Sequence, residues 1–153
     1  MTLRELIHQT QFASPAQEAL LNVMATASWL SGEVSAALAP HGVTQAQYNV
    51  LRILRGRHPE SYTCSEVGER LLDRTPDVTR LLARLEAAGL AWRQRAEHDR
   101  RVVQVGITDA GLALLAEIDA PLQETMARLG RHLTDRDHAR LSALLETLRT
   151  DQT

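Results

Sequence analysis

The chain is 153 residues long, 44% apolar, with a formal net charge of −2 at pH 7, a size that suits a single folded domain with its own core. No apolar run near the N-terminus reads as a signal peptide, and none approaches the roughly 20 residues of a membrane-spanning helix, so a cytoplasmic protein without membrane contacts is expected. The single cysteine, Cys64, excludes an intrachain disulfide framework and a multi-cysteine zinc site.

Helix-start signals recur along the chain. Ser14-Pro15-Ala16-Gln17, Thr44-Gln45-Ala46-Gln47 and Thr63-Cys64-Ser65-Glu66 each set a hydroxyl three residues before Gln or Glu, the spacing of a reciprocal capping box. The first predicts a helix from about Pro15 to Ala39, halted by Pro40 and Gly42, with Leu20, Val23, Ala27, Leu30, Val34 and Leu38 in one stripe. The second and third predict shorter helices over about 45–55 and 64–72. Thr75, followed by Pro76 at a first helical position, predicts a fourth over about 76–88, with Gly89 where a helix end favours glycine. Between Leu90 and Ile107 the apolar period falls from 3.6 to 2, so 90–95 and 102–107 read as two strands joined by the charged segment 96–101. Thr108 and Thr134 are caps for two last helices, about 109–130 and 135–150, whose leucines suit packing on one another and on the first helix. The fold class is mainly α: about six helices and a two-stranded hairpin.

Two short helices joined by a tight turn, the second amphipathic, make a helix-turn-helix, which sets a recognition helix into the DNA major groove. In the fourth helix Val78, Leu81, Leu82 and Leu85 face inward, leaving Pro76, Arg80, Ala83 and Ala87 outward, flanked by Asp77, Thr79 and Arg84. Arg80, near the helix start, suits guanine O6 and N7, and Thr75 and Thr79 suit phosphates or bases. Alone, such a helix is an ordinary amphipathic one with a solvated face. The succession of helix, turn, helix, Gly89 and a hairpin rimmed by Arg93, Arg95, Arg100 and Arg101, with His98 placed to touch phosphate, points to DNA.

Charge follows the same division. Residues 52–107 hold eleven arginines against eight acids, net +3, while the rest of the chain is net −5; distribution matters more than the total for nucleic-acid binding. All 17 cationic side chains are Arg, which suits phosphate and guanine but is also what genomic base composition produces. A winged helix used only as a protein-interaction module is the second reading; it would favour exposed apolar residues over this arginine rim. The long flanking helices carry more apolar surface than the compact middle covers, which implies a homodimer and, by symmetry, a palindromic operator.

The segments 44–54, 65–72 and 77–90 resemble the second, third and recognition helices of the MarR-type winged helix-turn-helix transcriptional regulators. Asp99-Arg100-Arg101 and Ile107-Thr108-Asp109-Ala110-Gly111 are similar to that family's wing and the start of its fifth helix. The likeness covers about Thr44 to Gly111 by motif and the flanking helices by length and order. It implies one MarR-like domain over 1–153, with a DNA-binding lobe at 44–107 and dimerisation helices at 14–40 and 109–150. It further implies a repressor, with Asp99 orienting Arg101 into the minor groove and a small phenolic or anionic effector releasing the DNA.

Trp29, Tyr48 and Arg52 are candidates for an effector pocket, two aromatic walls and a counter-charge, although plain core is the commoner place for both aromatics. Cys64, in the first turn of its helix, is a candidate redox residue if the helix dipole depresses its thiol pKa. Against that, a lone cysteine is more often an inert small residue, and the resemblance places reactive cysteines in the N-terminal helix, where this chain has none. The six histidines form no ligand pair, so no metal is expected. No phosphate loop, nucleophile elbow or paired-carboxylate pattern appears; neither enzymatic activity nor a cofactor is expected.

Overall fold

The first N–H groups of a helix have no partner within it, and a side-chain oxygen just upstream satisfies one of them. Six hydroxyl residues do this here. In the computed structural model, which describes residues 1–73, 77–95 and 102–150, Thr2 caps α1 (Leu3–Leu6), Ser14 caps α2 (Pro15–Leu38) and Thr44 caps α3 (Gln45–Arg55). Thr63, the last residue of β1 (Tyr62–Thr63), caps α4 (Cys64–Arg70). After α5 (Val78–Ala87) and the strands β2 (Ala91–Arg95) and β3 (Val103–Ile107), Thr108 caps α6 (Asp109–Gly130) and Thr134 caps α7 (Asp135–Leu148).

Several boundaries differ from the expectation. The cap of α5 is Asp77, not Thr75: its carboxylate accepts the Arg80 N–H at 3.1 Å, and the helix starts at Val78. An ionised carboxylate serves this position well because it also meets the positive end of the helix dipole. The box at Ser14 is half formed, since Gln17 reaches the Ala13 N–H at 2.7 Å and not that of Ser14. α2 ends at Leu38 and continues as a 3₁₀ turn (Ala39–His41) before Gly42, whose φ of 70° only glycine adopts without strain. α4 stops at Arg70 and α7 at Leu148, each two residues early. Neither α1 nor β1 was anticipated, although Thr2-Leu3-Arg4-Glu5 carries the same capping box.

The three strands are antiparallel in the order β1-β3-β2. β2 and β3 pair over five residues, from Ala91↔Ile107 to Arg95↔Val103, while β1 adds only Tyr62↔Val105 and Thr63↔Gln104. Two core clusters hold the elements together. In the larger, Val50, Leu51 and Leu54 of α3, Val67 of α4, Leu82 and Leu85 of α5, Val105 of β3 and Leu115 of α6 are fully buried. The smaller joins α2 to α6 through Leu38, Val43, Ile118 and Leu122.

α6 starts hard against the end of the lobe. The Thr108 hydroxyl donates to the Gly89 carbonyl at 2.7 Å and accepts the Gly111 N–H at 3.1 Å. A Cβ on Gly111 would lie 2.3 Å from the Leu90 carbonyl oxygen, so no larger residue fits there.

The last helix does not pack on α2 and α6 as expected. No residue of α7 is buried, and Leu141, Leu144 and Leu148 are exposed, as are Leu20, Val23, Met24 and Leu30 of α2. A leucine stripe has no means of telling, from its spacing alone, whether its partner lies in the same chain. Among the described residues, no helix is long and apolar enough to cross a membrane.

Candidate nucleic-acid interface

α5 has two faces because its apolar residues recur at helical spacing. Leu81, Leu82 and Leu85 are buried and Val78 packs against them, while Asp77, Thr79, Arg80 and Arg84 are exposed; Ala83 is half-buried. Asp77, Arg80, Leu81 and Arg84 line a shallow groove of about 220 Å³. The turn before α5 is tied to the lobe by the Leu72 N–H, which donates to Asn49 Oδ1 at 3.1 Å. A second cavity, about 460 Å³, lies where the start of α4, the first turn of α5 and the wing strands meet, with Ser65, Thr79 and Arg93 among its walls.

The arginines of the basic middle divide by what they touch. Arg55 pairs with Asp119 of α6 at 2.7 Å, and Arg57 pairs with Glu60 and Glu66. Arg52 donates to the Tyr48 hydroxyl at 3.0 Å and Arg70 to the Glu66 carbonyl at 2.8 Å. Arg57 and Arg70 also lie over the Tyr62 ring, each 4.9 Å from its centroid. Arg93, expected on the open rim, turns inward instead: its Nε donates to Glu86 Oε2 at 2.8 Å and its Nη2 donates to the same oxygen. That leaves Arg80, Arg84 and Arg95, which are exposed and, among the described residues, make no ion pair. Thr75, Pro76, His98, Asp99, Arg100 and Arg101, all expected at this surface, lie outside the described residues.

The other candidates are not brought together. Trp29 is half-exposed and opens, with Leu3, Leu6 and Thr26, on a groove of about 280 Å³ between α1 and α2. Tyr48 packs against both core clusters, and its hydrogen bond raises Arg52 above an already high value. Burial pushes the Cys64 thiol up, and the positive charge of Arg93 offsets this only in part; the shift runs opposite to the one a redox role for Cys64 would need. Among the described residues, no group of three or more His, Cys, Asp or Glu is placed to hold a metal ion. Sequence reasoning missed Glu86, Asn49 and Asp119, because each acts on another element of the fold. Only Glu86 left a hint, as an acid seven residues before Arg93 across the Gly89 turn.

This lobe matches the MarR family model over residues 41–102. The HTH-type transcriptional repressor MdtR of Bacillus subtilis is 32% identical over 117 residues, covering 76% of this chain and 74% of that protein. The chain belongs to the MarR family. A second relative, the HTH-type transcriptional regulator TtmR of Methylorubrum extorquens, is 35% identical over 72% of the chain, and the match spans about half of that protein's length, 53%. Among solved structures, a mutant MarR from E. coli complexed with operator DNA aligns with a TM-score of 0.74 at 26% identity, covering 82% of this MarR-family chain and 89% of that one. The mainly helical winged-helix architecture is shared with that structure. In this MarR-family chain α4 and α5 form the helix-turn-helix, and β2 and β3 form the wing.

Proposed function

We propose that this MarR-family protein represses transcription by binding a palindromic operator as a homodimer, with α5 in the major groove and the wing on the flanking backbone. The observation that carries the reading is the division of the arginines. Five of the eleven in the basic middle are held by partners within the protein, whereas Arg80, Arg84 and Arg95 are exposed and, among the described residues, make no ion pair. Two of these three lie on the outer face of the helix that a helix-turn-helix presents to base edges. Thr79 stands beside them, and Asp77 turns its carboxylate to the helix N-terminus, where its charge is offset.

The homodimer reading is supported by α7, which exposes three leucines and buries none of its residues, and by α2, which exposes Leu20, Val23, Met24 and Leu30. Release by a small phenolic or anionic molecule belongs to the same proposal, with the groove at Trp29 offering an apolar wall. MdtR is named a repressor, and the E. coli MarR structure holds operator DNA.

A titration of random-sequence duplex DNA across a salt series tests the reading. Each phosphate neutralised releases condensed counterions, giving a log–log slope of about −0.9 per contact, so affinity should fall steeply as salt rises. Absence of binding at low salt, or affinity indifferent to salt, would overturn it.

A further inference from the structure

We propose that Glu86 and Arg93 form a clamp that fixes the wing against the recognition helix, so that both are positioning residues for DNA binding and neither contacts the DNA. The inference rests on the DNA-binding reading above and adds how its two contact elements are held in register. Glu86 lies in the last turn of α5 and Arg93 at the centre of β2, opposite Val105 of β3. Two N–H groups of one guanidinium, Nε and Nη2, converge on Glu86 Oε2, a forked contact that fixes direction as well as distance.

The clamp sits at the level of Val105, two residues inside the point where the wing loses the support of β1. β1 backs β3 only at Val105 and Gln104, and beyond that level the hairpin continues as two strands to Arg95↔Val103. A two-stranded ribbon is marginal on its own. Arg95, one strand period beyond Arg93 and thus on the same face of β2, is exposed without an ion pair among the described residues. Arg93 therefore anchors the root of a segment whose outer arginine is available to DNA. The pair is also about three-fifths to three-quarters shielded from solvent, with side-chain exposures of 27% and 39%.

The electrostatics give a test whose sign separates the alternatives. Glu86 is an anion on the helix that faces a polyanion. On charge alone Glu86→Gln should tighten binding, and it should do so further if it frees Arg93 to reach a phosphate. A clamp predicts the opposite, because an unclamped wing must be ordered at the moment of binding.

The experiment measures the affinity of the full chain for random-sequence duplex DNA across a salt series, for wild type, Glu86→Gln, Arg93→Gln and the double variant. We expect each single variant to bind about five- to tenfold more weakly, the scale of ordering a loosened segment on binding. The double variant should be no weaker than the singles, since paired residues act as one unit. The salt slope of Glu86→Gln should match that of wild type, because no phosphate contact is lost. Hydrogen exchange should quicken at the amides of β2 and β3 in both singles and stay unchanged in α3 and α6, which shows a loosened wing on an intact fold. Wild-type binding with Glu86→Gln binding equally or more tightly overturns the clamp alone. Failure of the wild type to bind DNA overturns the DNA-binding reading and the clamp with it.

Discussion

Arg80 occupies the first turn of α5, its backbone N–H held by Asp77 and its side chain exposed beside Thr79 and Arg84. A bidentate contact from such a residue to guanine has a worth of ~1–3 kcal/mol, so Arg80→Ala should weaken binding to a preferred duplex by about that amount and relax the preference at one base position per half-site. Competition titrations with single-base variants of that duplex would measure both effects. Leu82, on the opposite face, is fully buried; Leu82→Ala should destabilise the fold by ~2–5 kcal/mol, read as a shift in the denaturant midpoint. Glu66 gives a pH prediction. The Thr63 backbone N–H, the Thr63 hydroxyl and Arg57 hold its carboxyl below the usual carboxylate range. A lowered folded-state value contributes stability above the usual range that disappears as pH falls through the lowered value. The wild-type melting temperature should therefore fall more steeply on acidification than that of Glu66→Gln, and parallel curves would remove Glu66 from the account.

Elements differ in how far the sequence reveals them. Helix starts were legible at Ser14, Thr44, Thr63, Thr108 and Thr134 because a cap is a local contact over three residues. The hairpin was legible from its period, and β2 and β3 fall within one residue of the expected strands. β1 was not, because two residues carry no period; Tyr62 and Thr63 become a strand only by lying beside Val105 and Gln104. The inward turn of Arg93 was hidden for the same kind of reason, since β2 must fold back on α5 before Glu86 is within reach. α7 was legible as a helix but not in its partner. Its exposed Leu141, Leu144 and Leu148 lead to the expectation that Leu144→Glu, which places a charge in the stripe, dissociates a homodimer. Sedimentation equilibrium at micromolar concentration should show wild-type dimer and variant monomer; a wild-type monomer would remove the dimer from the account.

Across the whole molecule, a net charge of −2 conceals a basic middle lobe set between acidic flanks. That asymmetry lets a protein approach DNA with one surface while the remainder stays soluble in its presence. The structure narrows the basic surface further, because internal partners neutralise or occupy much of it and, among the described residues, leave Arg80 and Arg84 of α5 and Arg95 of β2 as its exposed part. If two such lobes are joined by α2, α6 and α7 about a two-fold axis, the DNA they bind must carry the same symmetry. Selection of bound duplexes from a random-sequence pool measures this directly. The account predicts enrichment of an inverted repeat whose half-site centres lie about one helical turn apart, roughly 10 base pairs. Enrichment of a single unsymmetrical motif, or of none, would contradict it.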